Sequence, residues 1–457
     1  MTHDDAGSTT YAPGEATGTL TGLGFADPDG RSRGESLGER LLGSLLDRAH
    51  LMPPRLVGPL VAQEIAAMGG RDVAIYLQNF EHALLQPLQG PGLVGVPEPI
   101  DSSPAGTAFR TDSPCEVRQA DGAVRLFVPM LDGSDRVGVL GLTLPRVDDN
   151  DRRLAQRIAG LTADLVVTKS GYTDTFARAR MTKPMSLSAH LQWQMLPPLV
   201  MTTPDIALAG ALEPAYDVGG DSFDYALDEH TLHLAVFDAM GHGVEAATMA
   251  TLLIAAYRHG RLNGSDLPDI YAEMDAVMAT SFPGRFATAL IGRLDTTSGR
   301  LTWINAGHPP GLLIRDGRVI EELSGPVSRP VGLGDAEPDI HSVQLRPHDR
   351  VLFFTDGVVE ERLEGGVQFG EQRLRQFIED NAVQALPPAE IDHTLLMIVD
   401  ANFGAGRIDL VQAASRAFGF ASTSAQLREV LHAGIDRLEA SGAVAAKGDL
   451  IVRKAAA

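Results

Sequence analysis

The stretch LHLAVFDAMGHG, residues 232–243, decides how this chain folds, because a buried strand in it leads to a single carboxylate. Residues 232–237 are apolar and β-prone, which predicts a short buried strand that ends at Asp238. A glycine-rich turn at 241–243 and small residues at 244–256 predict a tight turn into a helix. A carboxylate at a strand end beside free backbone carbonyls suits a divalent cation, although an incidental Asp in such a turn gives the same pattern.

Two further segments present acidic residues in a similar way. The motif GGDSFD at 219–224 places Asp221 and Asp224 after a flexible glycine pair, and the apolar run 351–355 predicts a buried strand followed by Asp356. Three strand ends or turns therefore carry Asp221, Asp238 and Asp356. We expect these three side chains to converge at one edge of a sheet and to hold two metal ions, which outweighs the interpretation as incidental turn residues.

Length and composition narrow the class of protein. The chain has 457 residues, with 38 basic and 59 acidic residues and a net charge of −21. This balance argues against nucleic-acid binding. The single cysteine, Cys115, excludes an intramolecular disulfide and indicates a reducing compartment. No apolar run reaches membrane-spanning length and the acidic N-terminus lacks a signal-peptide core, so we expect a cytoplasmic protein without a membrane segment.

Five ordered motifs carry a family resemblance: GGDSFD, VFDAMGHG, FATALIGRLD, INAGHPPGLLIRDG and FFTDGVVEERLEGGVQFGEQRL. Over residues 185–381 the chain resembles the PPM-type metal-dependent serine/threonine phosphatases. The branch it resembles is the bacterial one typified by sporulation stage II protein E and the sigma-factor regulatory phosphatases. The resemblance implies two antiparallel sheets packed face to face between outer helices, an α/β/β/α sandwich.

The resemblance also implies roles for the acidic residues. Asp238 matches the carboxylate that bridges two Mn²⁺ or Mg²⁺ ions, and with Asp221 it is a predicted catalytic residue. Asp221 and Asp356 match further metal ligands, and Ala239 matches a position, usually glycine, that gives a backbone carbonyl to the metal. Asp224 matches a motif acid that acts from behind the ligands.

Three other features of the site stay open at this level. His242 and His308 each have two possible roles. One role is to donate a proton to the leaving serine or threonine oxygen, and the other, which is favoured, is to form a hydrogen bond with a backbone turn. The family's last metal carboxylate lies in an Asp-Asp-x-Thr-Leu strand, for which Asp392 and Asp409 are imperfect candidates. Both lie in segments that predict helices, so we expect that neither is a ligand. Phe223, Met240 and Phe286 are expected to pack beneath the site.

The fold class predicted is α+β, with four parts after an N-terminal tail. The segment SSPAGTAFRTDSPCEV, then RLFVPMLDG and RVGVLGLTL, resembles a GAF sensor domain. Trp193 is expected to be a packing anchor in the linker. The predicted parts are a disordered tail (1–35), a GAF-like sensor domain (36–170), a helical linker (171–199), a PPM-type phosphatase domain (200–385) and a winged-helix-like segment (386–457).

Local patterns give the elements within these parts. The linker pattern predicts a helix that ends before Pro197. In the sensor region, strands are predicted at 73–77, 123–130 and 136–144, and helices at 59–68 and 148–167. In the phosphatase region, the patterns predict helices at 244–257 and 267–280 and strands at 206–211, 233–237, 287–294, 301–305, 311–315, 343–345 and 351–354.

The function expected is hydrolysis of phosphoserine or phosphothreonine on a signalling protein, for which the resemblance points to an anti-sigma-factor antagonist. The sensor domain is expected to receive a small-molecule or protein signal, or to serve as a scaffold that forms a homodimer. One alternative is a catalytically impaired, phosphatase-like regulatory protein that lacks the second metal site. Another is a signalling scaffold in which the sensor and the C-terminal segment matter most.

Overall fold

The computed structural model describes residues 43, 45–49, 52–133, 135–213, 215–216, 219–334, 337–363, 366–381, 388–401, 404–417, 425–448 and 450–454. The predicted tail, 1–35, lies outside the described residues. The chain divides into two compact units, Met1–His50 and Leu51–Ala457. Residues 45–49 of the first unit are helical. All elements below belong to the second unit.

The second unit begins with an antiparallel sheet of six strands in the order β3-β2-β1-β6-β5-β4. Helix α1 (Val57–Ala67) and helix α2 (Pro104–Thr111) pack on opposite faces of it, because Ile75 points to α1 while Ala74 and Tyr76 pack with α2. The predicted strands and helices of this region are confirmed within a few residues. The strands are β1 (Arg71–Gln78), β2 (Leu84–Pro87), β3 (Glu98–Pro99), β4 (Cys115–Arg118), β5 (Val124–Asp132) and β6 (Asp135–Leu144).

Helix α3 (Asp149–Ser170) leads out of this sheet region and starts at a capping box. The Asp148 carboxylate accepts hydrogen bonds from the backbone amides of Asn150 and Asp151, and Asp151 accepts one from the Asp148 amide at 3.0 Å. These bonds satisfy amides that the first turn of a helix leaves without partners, and the carboxylates also face the positive end of the helix dipole.

Two short helices form the linker, α4 (Thr175–Arg180) and α5 (Leu187–Met195). The Ser186 side chain caps α5, which ends just before Pro197, as the sequence predicts. Trp193 donates from Nε1 to the carbonyl of Ala215 at 2.8 Å, and its ring lies 5.0 Å from that of Phe80. The prediction that Trp193 is a packing anchor is confirmed.

Two antiparallel sheets and two long helices build the region that holds the acidic residues. A five-stranded sheet has the order β15-β12-β11-β10-β9, and a three-stranded sheet has the order β14-β13-β16. The strands are β9 (Asp221–Asp228), β10 (Thr231–Ala239), β11 (Ala287–Asp295), β12 (Arg300–Ala306), β13 (Gly311–Arg315), β14 (Arg318–Leu323), β15 (Ile340–Gln344) and β16 (Arg350–Leu352), preceded by the two-stranded pair β7 (Val200–Thr202) and β8 (Ala207–Ala209).

Apolar side chains separate this region into layers. Helices α6 (Gly243–Leu262) and α7 (Leu267–Ser281) cover the five-stranded sheet, with Phe237, Tyr257 and Met274 in the shared core. A second core, which includes Trp303 and Leu313, joins the two sheets. On the three-stranded sheet, the last helix of the region, Glu371–Asn381, contributes Leu374 to a third cluster. This is the predicted α/β/β/α sandwich, and burial of these cores is its main source of stability.

The C-terminal segment has its own core. Three helices, Pro388–Ala401, Arg407–Ala417 and Ala425–Ala440, pack together with a three-stranded sheet in the order β17-β19-β18. The strands are β17 (Ala405–Gly406), β18 (Val444–Lys447) and β19 (Leu450–Arg453). The order helix, strand, two helices and hairpin agrees with the predicted winged-helix arrangement.

Cations of this segment are engaged in ion pairs. Arg437 pairs with Asp392 at 2.7 Å, and Arg407 pairs with Asp436 and Glu439. These ion pairs hold the two guanidinium groups within the segment. Across the described residues, helices of the length and apolarity needed to span a bilayer are absent.

Candidate metal centre

Asp221 and Asp238 face each other across two neighbouring strands. In the β9–β10 ladder, Asp238 pairs directly with Asp221, and the register runs without a shift from this pair to Thr231 and Asp228. Directly opposed residues point to the same face of a sheet, with Cβ atoms about 5 Å apart. Phe237 lies in the core beneath the helices, so the two carboxylates lie on the other face, between the sheets.

The third predicted acid, Asp356, comes from the facing sheet. Strand β16 ends at Leu352, earlier than the sequence predicts, and Asp356 begins the short helix Gly357–Glu360. The Thr355 hydroxyl bonds the Asp221 carboxylate, and a Cβ placed on Gly357 would lie 3.7 Å from Asp221 Oδ2. The segment that carries Asp356 therefore lies directly against Asp221.

The carboxylates act on one another electrostatically. Burial, followed by the charge of Asp238, raises the pKa of Asp221 to about 7, with a smaller effect from Asp356. Burial, followed by Asp356 and then Glu360, raises the pKa of Asp238. Like charges that share a partly buried site oppose each other's ionisation. A divalent cation would remove this repulsion, and an all-oxygen donor set is the kind that Mg²⁺ and Mn²⁺ prefer.

The acidic side chains do not form a compact single-ion site. Among the described residues, no three side chains of the types His, Cys, Asp and Glu are arranged tightly enough to ligate one ion directly. The charge repulsion between Asp221, Asp238 and Asp356 is what a divalent cation would relieve. The donor chemistry therefore fits divalent metals, with Asp221, Asp238 and Asp356 as the side chains that would hold them.

Glu360 is an acid near the site that the sequence prediction missed. It lies four residues after Asp356, its amide donates to the Asp356 carbonyl at 2.8 Å, and it is exposed. One helical turn therefore brings the two residues to the same side. The four-residue spacing in DGVVE is the sequence signal that could have identified it.

Backbone packing explains the residues around Ala239. A Cβ on Gly220 would lie 2.0 Å from the Ala239 carbonyl oxygen, so only glycine fits beside it. Ala239 is in regular strand conformation with its methyl group buried, and alanine is accommodated there in place of the usual glycine. Its carbonyl remains a predicted metal ligand.

Asp224 does not reach the metal centre. It lies three residues after Asp221 in a regular strand and therefore on the opposite face, towards α6. Its buried carboxylate accepts hydrogen bonds from Arg258 at 2.7 Å and from Arg261 at 2.9 Å. The prediction that it supports the ligands from behind is replaced by an ion-pair role that joins the sheet to the helix.

The two histidines differ sharply. His308 is buried, with Nδ1 2.8 Å from the Thr288 hydroxyl and Nε2 3.1 Å from the Phe354 carbonyl, and burial lowers its pKa to about 4. His242 is exposed at the start of α6 and makes no capping hydrogen bond. The structural interpretation therefore holds for His308 and leaves His242 available for proton transfer.

The three apolar residues expected beneath the site are spread around it. Met240 packs against the core under the helices, and its sulfur accepts a hydrogen bond from the Phe286 amide at 3.4 Å. Phe223 follows Asp221 on the same face and lies over Gly210, where an added Cβ would be 2.4 Å from its ring. Each is partly buried.

The C-terminal acids belong to their own segment. Asp392 lies on the helix Pro388–Ala401 and pairs with Arg437, while Asp409 is exposed in the first turn of the next helix. Both lie on helices, as the sequence predicts, rather than on a closing strand. That neither is a metal ligand remains a prediction.

Together, the fold and the acidic edge define the α/β/β/α sandwich predicted for a PPM-type domain, in which the two facing sheets and the segment after β16 bring carboxylates together at one end. Residues 228–409 match the family described as Stage II sporulation protein E (SpoIIE). The six-stranded sheet that precedes it lies in the region that the sequence predicts to be a GAF-like domain.

Known proteins resemble parts of the chain. Phosphoserine phosphatase RsbP of Bacillus subtilis (strain 168) is 28% identical over 151 residues, which are 32% of this chain and 37% of that protein. The chain thus spans well under half the length of this relative. A crystal structure of the RsbU and RsbW domains of Rv1364c from Mycobacterium tuberculosis is 30% identical, with a TM-score of 0.33, over 37% of this chain and 47% of that chain. A GAF domain from a phosphoenolpyruvate-protein phosphotransferase of Coxiella burnetii is 11% identical, with a TM-score of 0.27, over 29% of this chain and 95% of that chain.

Proposed function

We propose that this protein is a metal-dependent protein phosphatase that hydrolyses phosphoserine or phosphothreonine on a signalling protein. The observation that supports this most strongly is the direct pairing of Asp221 with Asp238, next to a segment of the facing sheet that delivers Asp356. The match to the SpoIIE family and the similarity to a phosphoserine phosphatase agree with it.

In this proposal the acidic side chains hold two Mn²⁺ or Mg²⁺ ions. When bound, such ions lower the pKa of a water and offset negative charge on the phosphoryl oxygens. Asp238 interacts electrostatically with both other acids and is assigned the shared ligand position. Asp221 and Asp356 would be further ligands of the pair, and the Ala239 carbonyl would add one more. Exposed His242, four residues after Asp238, is the histidine assigned to give a proton to the leaving oxygen.

The substrate we propose is a phosphorylated anti-sigma-factor antagonist. Asp356 and Glu360 are exposed, so the acidic edge opens to the surface, where a phosphorylated side chain on a folded protein can reach it. The GAF-like domain would receive a small-molecule or protein signal and pass it through the linker. Cytoplasmic location and a homodimer complete this proposal.

The activity is tested with the full chain, p-nitrophenyl phosphate and a phosphoserine peptide, with Mn²⁺ added and then removed by EDTA. Asp238→Asn should lower the rate by about 10³-fold, or about 4 kcal/mol of barrier. Asp228→Asn, at the exposed far end of the hairpin, is the matched control and should keep full activity. Hydrolysis that persists after exhaustive chelation of metal ions would contradict the proposal.

A catalytically impaired regulatory protein is the second candidate. The observation in its favour is that Asp392 is committed to Arg437 and Asp409 lies exposed on a helix of a separate core, so the described residues show no closing acid. This candidate requires that the protein binds a phosphoprotein without turnover at any Mn²⁺ concentration. Hydrolysis of p-nitrophenyl phosphate by the wild type, abolished in Asp238→Asn, excludes it.

A further inference from the structure

A buried imidazole connects the two sheets next to the acidic edge. His308 is only 4% exposed and lies just after β12. Its Nδ1 is 2.8 Å from Thr288 Oγ1 on β11, and its Nε2 is 3.1 Å from the carbonyl oxygen of Phe354, beyond the end of β16. One side chain thus joins the five-stranded sheet to the segment that follows β16, through two hydrogen bonds.

The partners determine where the proton lies. The Phe354 carbonyl can only accept, so Nε2 of His308 carries the hydrogen. Burial lowers the pKa of His308 to about 4, so the ring is neutral and Nδ1 has none. Nδ1 therefore accepts from the Thr288 hydroxyl. A ring with its single proton held in this way acts as a fixed spacer between its two partners.

Both contacts of this spacer lie directly beside metal-site residues. Thr288 is the cross-strand partner of Asp238 on the side opposite to Asp221. Phe354 immediately precedes Thr355, which bonds Asp221, and Asp356 follows. Because β16 ends at Leu352, the ladder between the strands does not hold this segment, and the imidazole supplies an anchor for its backbone.

The backbone that carries the imidazole is itself fixed. Asn305 accepts a hydrogen bond from the His308 amide and donates one to the His308 carbonyl, both at 2.8 Å. Gly307, with φ of +74°, makes the turn, and a Cβ there would lie 2.7 Å from Pro330. The backbone of His308 is therefore fixed to β12, so the ring holds a defined position relative to the five-stranded sheet.

We propose that His308 is a positioning residue that sets the separation between Asp238 and Asp356, by holding Thr288 on one sheet and the Phe354 carbonyl next to the other. The inference rests on the metal-dependent function proposed above, because the separation matters for metal binding. It assigns the histidine of the INAGHPP motif no contact with substrate and no proton transfer.

The test compares two substitutions of different chemistry in the full chain. In His308→Gln, the amide oxygen can accept from Thr288 and the amide nitrogen can donate to the Phe354 carbonyl, so both bonds are retained. In His308→Leu, both are lost at similar volume. Thr288→Val removes one bond only. Titration calorimetry measures Mn²⁺ affinity, and hydrogen exchange of the metal-free protein follows the amides of Val358 and Val359, which bond the carbonyls of Thr355 and Asp356.

We expect His308→Leu to weaken Mn²⁺ binding by about 10- to 100-fold, as removal of groups that orient metal ligands does. His308→Gln should bind Mn²⁺ with an affinity close to that of wild type. The affinity of Thr288→Val should lie between those of His308→Leu and His308→Gln. Exchange should accelerate at Val358 and Val359 in the leucine variant and not in the glutamine variant. If His308→Leu fails to fold, Thr288→Val carries the same comparison.

Contrary results separate the two proposals. The positioning role is overturned if folded His308→Leu or Thr288→Val shows both the Mn²⁺ affinity and the amide exchange of wild type. It is also overturned if folded His308→Gln binds Mn²⁺ as weakly as His308→Leu. If the wild-type protein itself does not bind Mn²⁺, the proposed function fails. The exchange of Val358 and Val359 then still decides whether His308 anchors the segment.

Discussion

Removal of one charge from the metal centre should stabilise the metal-free protein. In Asp221→Asn the side chain keeps its shape and can still accept the hydrogen bond from Thr355, but the repulsion from Asp238 and the burial of a charge disappear. The pKa of Asp221 rises from an ordinary 3.8 to about 7 in the folded protein. At about 1.4 kcal/mol per pKa unit, this rise corresponds to about 4 kcal/mol. Partial exposure of Asp221 reduces the expected gain to about 2–4 kcal/mol.

The gain should depend on pH in a defined direction. Because its pKa is raised, folded Asp221 keeps a proton between pH 3.8 and about 7 that the unfolded chain has released. The contribution of Asp221 to the free energy of unfolding therefore falls as the pH rises through this window and does not change above it. Asp221→Asn lacks the titrating group, so its free energy of unfolding does not fall in this way. The variant should therefore exceed wild type in stability only slightly near pH 4 and by the full amount near pH 8.

Urea denaturation in EDTA, followed by tryptophan fluorescence, measures the effect, since Trp303 lies in the core between the two sheets. Asp228→Asn, on the same strand but at its exposed end, is the control and should change stability by less than about 0.5 kcal/mol. Added Mn²⁺ should stabilise wild type and not Asp221→Asn, because a ligand stabilises only the state that binds it. An Asp221→Asn protein that is no more stable than wild type near pH 8 would refute the electrostatic argument.

Three further predictions concern single side chains. Asp224→Ala should lower the free energy of unfolding by about 3–5 kcal/mol, because it leaves two arginines without their buried partner, and chemical denaturation measures this. Asp392→Ala should lower the melting temperature of the C-terminal segment, because its ion pair with Arg437 is lost. Calorimetry should give the wild-type Mn²⁺ affinity for both Asp392→Ala and Asp409→Ala. A weakened Mn²⁺ affinity in either variant would make that acid a ligand. Asp148→Ala should cost about 1 kcal/mol through loss of the capping box, and an unchanged denaturation midpoint would contradict the assignment of this cap.

The sequence predicted well where the information is local. The strand that ends near Asp238 and the helix that follows it have apolar patterns that are complete within about 25 residues, and both are confirmed. The linker helix stops before its prolines, and the helix predicted at 148–167 is present as α3. In these places, local propensity and burial favour the same structure.

The features that could not be predicted from the sequence depend on residues far apart along the chain. Asp224 looks like a site acid in GGDSFD, yet its partners Arg258 and Arg261 lie 34 and 37 residues away on α6. The odd spacing between Asp221 and Asp224 was the available clue, because odd spacing in a strand means opposite faces. Strand β9 itself was missed, since acids at both ends of DSFDYALD hide its alternation. Which histidine is buried depends on packing of three strands and was not readable locally.

The β9–β10 hairpin gives the metal centre a remote point of control. Only Glu229 and His230 separate the two strands, and every pair from this turn to the acids is in unbroken register. At about 3.3 Å per residue, the turn lies about 23 Å from the acids. One residue inserted at the turn, if the ladder absorbed it by a one-step slip, would pair Asp221 with a neighbour of Asp238, so the two acids would point to opposite faces of the sheet. Such an insertion would silence the site while leaving each of its residues unchanged in the sequence. Loop length at the far end of the hairpin is therefore as much a determinant of the centre as the acids themselves.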